Sequence, residues 1–283
     1  MKSREGKKGE RILKQPIGVI DSGVGGLTVV HELMRQLPKE PLIYLGDTAR
    51  CPYGPRTEEE VKQFTWEMVR FLLGKNIKML VIACNTATAF TIKDLQKELD
   101  IPVIGVIKPG ARAAIKSTEN NYIGVIGTEG TVRSGAYSYA LRKIKSDIEV
   151  ISLACPSFVP MVEKGVLDGP EAKQVVETAL APILEHDKMD TLILGCTHYP
   201  LLKDTIQEVV GKKIIVISSS EETARETSTT LDIHQIANHD DHMPPHQFYA
   251  TGDLDIFIEI TEKIFKDSNF EVLTIKHADL QNI

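Results

Sequence analysis

Residues 79–86 read Met-Leu-Val-Ile-Ala-Cys-Asn-Thr, and residues 191–198 read Thr-Leu-Ile-Leu-Gly-Cys-Thr-His. Each is a strand-sized apolar run that ends on a small residue, then a cysteine, then residues able to cap a helix. The correspondence extends outward in both directions. Ile17-Gly18-Val19-Ile20 recurs as Ile123-Gly124-Val125-Ile126, Leu42 to Leu45 has a counterpart in Ile148 to Leu153, and Val103 to Ile107 matches Ile214 to Ile217. Four strand-like segments thus recur in one order at offsets between 106 and 112 residues. Such self-similarity marks a duplicated unit.

Helical patterns lie between these segments. Leu27, Val30, Leu33, Met34 and Leu37 keep helical spacing and Pro38 follows as a stop. Thr57 and Glu60 form a capping-box pattern ahead of Val61, Phe64, Met68, Phe71 and Leu72, with Gly74 as the expected C-cap. Val175, Val176, Ala179 and Leu180 mark a helix in the second half. The strands are near-continuous Val/Ile/Leu runs, as expected when helices cover both faces of a parallel sheet. The expected fold is α/β: two pseudo-symmetric domains, each a parallel-type sheet flanked by helices, with an active site in the cleft between them. The expected boundaries are 16–108 plus 218–283 for the first domain, whose C-terminal segment packs back, 109–217 for the second, and 1–15 as a flexible tail. In that last segment the sequence predicts a helix over Glu221 to Thr229, a strand at Phe248-Tyr249-Ala250 and a helix from about Asp253 to Phe265. His234, His239, His242 and His246 with Asp240 and Asp241 are spaced too irregularly for a metal site and read as a solvated loop.

The 283 residues are 42% hydrophobic and 25% charged, an ordinary balance for a globular protein of about two domains. A net charge of -6 lacks the basic footprint of a nucleic-acid binder. No apolar run approaches the roughly 18 residues of a membrane helix, and the basic N-terminus lacks the apolar stretch of a signal peptide. A cytoplasmic protein acting on a small molecule is expected, with no nucleic acid and no membrane. The four cysteines, Cys51, Cys84, Cys155 and Cys196, form no C-x-x-C pair, so free thiols are expected rather than a zinc ribbon or disulfides.

In open parallel sheets ligands bind outside the carboxyl ends of the strands. Cys84 and Cys196 each lie one residue past such a strand, in equivalent places of the two halves. A free cysteine at a strand end is ordinarily a small core residue; two in matched positions of a duplicated fold point elsewhere. If the halves face each other, the thiols reach one cleft from opposite sides. Inverting a stereocentre through a planar carbanion needs a base on one face and an acid on the other, with pKa values near the working pH. A thiol, at about 8.5, needs only modest tuning, and a helix N-terminus favours the thiolate. The glycine-rich turn Asp21-Ser22-Gly23-Val24-Gly25-Gly26 lacks the Walker A and dinucleotide patterns and reads as a carboxylate-binding nest with an acidic residue, Asp21, at the strand end, or with Asp21 as a helix cap. Pro52-Tyr53-Gly54 is turn chemistry at the same sheet edge. His198 either assists proton transfer or fills a capping or core role.

The segments DSGVGGLTV (21–29), GDTARCPYG (46–54), ACNTAT (83–88), GTEGTVRSGAY (127–137), CPSFVPMVEKG (155–165) and LGCTHYPLL (194–202) together resemble the glutamate racemases of the aspartate/glutamate racemase family, from about Pro16 to Asp267. The resemblance implies a pyridoxal-independent isomerase, with no cofactor and no metal, that interconverts L- and D-glutamate for peptidoglycan synthesis, cell-wall biogenesis and cell shape. It implies that Cys84 acts on the D-enantiomer and Cys196 on the L-enantiomer, with Asp21 and His198 assisting. It further implies a substrate site lined by Ser22, Tyr53, Gly54, Asn85, Thr86, Thr128, Thr131 and Thr197, and a homodimer. Cys51 and Cys155 receive no catalytic role, and the run Ile217-Ser218-Ser219-Ser220 and the N-terminal extension fit the pattern least. Three other readings follow from the residues: an aspartate racemase or related two-cysteine racemase, a two-lobed amino-acid-binding protein without catalysis, and a pyridoxal enzyme using Lys108.

Overall fold

A computed structural model describes residues 12–240, 245–266 and 274–280. The first lobe is built on a six-stranded, wholly parallel sheet of β1 (Ile17–Asp21), β2 (Leu42–Gly46), β3 (Met79–Ile82), β4 (Val103–Gly105), β9 (Gln247–Ala250) and β10 (Thr274–His277), in the order β10-β9-β2-β1-β3-β4. The second carries a four-stranded parallel sheet of β5 (Tyr122–Gly127), β6 (Glu149–Ala154), β7 (Thr191–Gly195) and β8 (Ile215–Ser218), in the order β6-β5-β7-β8. The duplication shows in the ladders. Ile17 pairs with Met79 just as Ile123 pairs with Thr191, so β3 and β7 occupy matched places beside β1 and β5.

Helices α1 (Leu27–Gln36), α2 (Glu58–Leu73), α3 (Asn85–Glu98), α4 (Ile107–Ser117), α5 (Glu129–Ser134), α6 (Ala136–Ile144), α7 (Phe158–Glu163), α8 (Gly169–Leu184), α9 (Lys203–Val210), α10 (Ser220–Ile233) and α11 (Leu254–Phe265) cover the sheets. Their starts follow the sequence. Thr57 and Glu60 form the reciprocal capping box of α2, and Asp253 caps α11 by accepting the N–H of Asp255 at 2.8 Å. Each sheet is sandwiched between two apolar layers. Val19, Tyr44, Val81 and Phe248 face one side of the first sheet, while Ile20, Leu45, Leu80 and Ile82 face the other.

Several expectations are corrected. The segment around Ile107 opens α4 instead of extending β4. Strand β10 is an addition to the expected elements: Thr274–His277, at the edge of the sheet, holds a single apolar residue, Ile275. The histidine stretch is not a solvated loop throughout. His246 is buried, accepts the N–H of Leu42 on Nδ1 at 3.3 Å, and is held neutral by burial, its pKa lowered to about 4. Asp241 and His242 lie outside the described residues, as do residues 1–11 of the tail. The end of that tail is docked: Lys78 donates to the Leu13 carbonyl at 2.7 Å, and Lys14 pairs with Asp240 at 2.8 Å. No helix among the described residues is long and apolar enough to cross a membrane.

Candidate active site

The carboxyl ends of β1, β2 and β3 face those of β5 and β7 across a small cavity. It is lined by Ser22, Pro52, Tyr53, Gly54, Cys84, Asn85 and Thr86 from the first lobe and Thr128, Val159, Cys196, Thr197 and His198 from the second. Both cysteines therefore open onto one volume, one from each lobe, and all four cysteines of the chain are free thiols. The lobes are tied at the rim. The Gly130 N–H donates to the Gly54 carbonyl at 2.9 Å, and the hydroxyls of Thr86 and Thr128 lie 2.8 Å apart.

Two residues expected at the substrate lie behind this lining. Thr131 joins the hydroxyl cluster instead, 3.1 Å from both Thr86 and Thr128. Asp21, at the end of β1, is fully buried beneath the loop it precedes. The Gly23 N–H and the Thr197 hydroxyl donate to its two oxygens at 3.0 and 3.1 Å. The glycine turn is thus a nest already filled by its own acid, and Asp21 ties the first lobe to the Cys196 loop. Nor does it cap α1, whose N-cap is Gly26 without a side-chain bond. Burial raises the Asp21 carboxyl to about 6, opposed by the neighbouring His198 and by the bonds from Gly23, Gly26 and Thr197.

The two sulfurs occupy different surroundings. Cys84 is the N-cap of α3 and accepts the Ala87 N–H at 3.4 Å, the geometry expected to favour a thiolate. Desolvation outweighs it: burial first, then the Asp21 carboxyl, pushes the Cys84 thiol up to about 12 despite bonds from Ser22 and Ala87. The modest tuning read from sequence is corrected at this position. Cys196 is followed not by an α-helix but by a 3₁₀ turn, Tyr199–Leu202. Beside it stands His198, whose Nδ1 is 3.9 Å from the sulfur and whose Nε2 is 2.6 Å from Glu163 Oε1. Burial opposes charge on this imidazole, yet hydrogen bonds with Cys196, Cys51 and Glu163 hold its pKa well above the usual histidine range. The capping role for His198 is corrected, since its ring bonds no helix N–H. A carboxyl beside Cys84 and an imidazolium beside Cys196 make the pair electrostatically asymmetric.

Glu163 was missed by sequence reasoning. It lies in the quoted segment 155–165, at the end of α7, but one glutamate on a short helix carries no signal until the fold sets it against His198. With Cys51 and His198 it forms a group of metal-ligating types, all three donor atoms within 4.8 Å. The donors of a tetrahedral zinc site stand roughly 3.3–3.7 Å apart. At 2.6 Å, Glu163 and His198 are instead a charge-assisted hydrogen bond. Tyr53 presents its ring to the cavity while its hydroxyl donates to Asp47 at 2.5 Å. Cys155 is buried under Tyr199, and burial raises its thiol to about 12, the behaviour of a structural cysteine. Lys108 is exposed on α4 and does not line the cavity.

The sequence profile of the Asp/Glu/hydantoin racemases matches residues 17–227. The chain belongs to the Asp/Glu/hydantoin racemase family. Among relatives, the glutamate racemase of Oceanobacillus iheyensis is 75% identical over 268 residues, covering 95% of this chain and 98% of that protein. A glutamate racemase isoform from Bacillus anthracis has the same fold, with a TM-score of 0.89 at 49% identity over 94% of this chain and 98% of that one. A Francisella tularensis glutamate racemase, solved in complex with D-glutamate, superposes with a TM-score of 0.87 at 34% identity over 96% of this chain and 100% of that one.

Proposed function

We propose that the protein racemises glutamate, withdrawing the α-proton with one cysteine and returning a proton to the opposite face with the other. The observation that carries this is the opening of Cys84 and Cys196, from matched strand ends of two similar lobes, onto one cavity. From L-glutamate, the Cys196 thiolate beside the His198 imidazolium takes the α-proton. The bonding pair stays on the α-carbon as a planar carbanion. The Cys84 thiol then protonates the other face, so D-glutamate leaves with Cys196 as thiol and Cys84 as thiolate, and the reverse reaction exchanges these roles. The substrate's ammonium, brought close to Cys84 and Asp21, offsets the desolvation that holds the Cys84 proton. Ser22, Asn85, Thr86, Thr128 and Thr197 supply hydrogen-bond partners for two carboxylates, and the Tyr53–Gly54 turn shapes the wall.

High identity to glutamate racemases over nearly the full chain favours glutamate over aspartate. Turnover of L-glutamate and L-aspartate tests the choice, and equal or better activity on aspartate rejects it. Cys84→Ala and Cys196→Ala each remove most racemisation; full activity in either rejects the paired sulfurs. Four free thiols support a cytoplasmic location, and the product suits peptidoglycan assembly. Sheet membership supports boundaries near 108 and 218. A homodimer is the expected assembly, which light scattering measures.

A further inference from the structure

Asn85 is buried at the first position of α3 and lines the cavity between the two cysteines' lobes. Its carboxamide is engaged at one end only. The Tyr137 hydroxyl, from α6 of the opposite lobe, lies 2.7 Å from Oδ1, while Nδ2 is buried and has no hydrogen-bond partner. A carboxamide can be turned end for end at little steric cost, so something must decide whether the cavity meets a donor or an acceptor. A phenol carries one proton. Buried, that proton must be donated, and among the described residues Asn85 Oδ1 is the acceptor within hydrogen-bond distance of the phenol. The phenol proton is then committed to Asn85 Oδ1, and the amide group turns towards the cavity.

We infer that Tyr137 is a positioning residue that fixes the Asn85 carboxamide with its N–H bonds towards the substrate, so that this wall accepts a carboxylate. The inference rests on the glutamate reading of the site. Burial holds the phenol protonated, its pKa raised well beyond reach of neutral solution, so the donor is constant. The interaction also crosses between lobes, so the substrate-facing amide is set correctly only when α6 is docked on the start of α3. Gly110 allows this approach, because a Cβ there stands 3.1 Å from Ser219 Cβ and 3.2 Å from the Tyr137 hydroxyl.

The test is a double-mutant cycle in the full-length enzyme, Tyr137→Phe, Asn85→Ala and both together, with KM and kcat for each glutamate enantiomer and a melting curve for each protein. Tyr137→Phe keeps the ring and frees Oδ1. It is expected to raise KM about tenfold for both enantiomers and leave kcat within about threefold, the signature of lost uniform binding. On the Asn85→Ala background the same change is expected to raise KM no further. Asn85→Asp, which offers the substrate an oxygen whichever way the group is turned, is expected to raise KM at least as much and keeps the question answerable if Tyr137→Phe folds poorly, with wild-type KM there overturning the inference. Wild-type KM in Tyr137→Phe, a loss confined to kcat, a lower melting temperature with unchanged KM, or losses that multiply in the double variant each overturn the inference. Wild-type turnover of L-glutamate, measured alongside, reports separately on the substrate reading.

Discussion

Gly25 sits where the first lobe's glycine turn meets the Cys196 loop, and adding one methyl group there tests how tightly the sulfurs depend on inter-lobe contact. A Cβ at position 25 stands 2.5 Å from His198 Nδ1, 2.6 Å from Thr197 Oγ1 and 2.8 Å from the His198 backbone nitrogen. Comfortable contact is roughly 3.5 Å or more. The His198 backbone, two residues beyond Cys196, must therefore retreat by on the order of 0.5–1 Å. Overpacking of this kind costs about 1–3 kcal/mol. At roughly 2–4 °C of melting temperature per kcal/mol, the expected loss in stability is small to moderate. Activity is far more sensitive, since displacing a reacting group by about 1 Å costs on the order of 100-fold. Gly25→Ala is thus expected to remain folded and lose about two decades in kcat/KM for both enantiomers, read by polarimetry. Gly211→Ala is the control: φ is +77° there and nothing lies within 4 Å, so strain lowers stability with kcat/KM unchanged. Wild-type kcat/KM in Gly25→Ala, or equal loss in the two variants, refutes the reasoning.

Lys78→Met removes a buried cation that contacts Glu40 at 2.6 Å and donates to the carbonyls of Leu13 and Ile236, each at 2.7 Å. An unpaired buried carboxylate costs about 3–5 kcal/mol, so a clear fall in melting temperature is expected, largely recovered in Lys78→Met/Glu40→Leu. For Asp21 the folded carboxyl titrates near 6 against an ordinary 3.8. A raised acid favours the folded state while protonated, and that contribution is lost as pH rises from about 4 through about 6. Asp21→Asn is accordingly expected to gain up to about 3 kcal/mol at pH 8 and little at pH 4, measured by denaturant titration, while losing racemase activity.

The repeat made the fold readable. Ile17–Ile20 and Ile123–Ile126, and the two cysteine-ended runs, specify parallel strands in matched places, and the paired cysteines locate the cavity without any side-chain coordinates. What the sequence could not express was desolvation and partnership between distant residues. Cys84 at a helix start reads as an easily formed thiolate, but its burial beside Asp21 reverses that. Asp21 reads as a substrate-side acid, but the loop folds over it. Glu163 becomes visible only when α7 is set against the turn after β7. Strand β10 escaped because an edge strand need not be apolar.

The most direct test of paired sulfurs on opposite faces of one carbon is the fate of the α-hydrogen in D2O during the first few per cent of conversion. Starting from L-glutamate, D-glutamate is expected to form with deuterium at the α-carbon while the remaining L-glutamate keeps its hydrogen, and the reverse is expected from D-glutamate. D-glutamate that retains the original hydrogen would mean that a single group carries the proton from one face to the other, and would contradict the two-cysteine account.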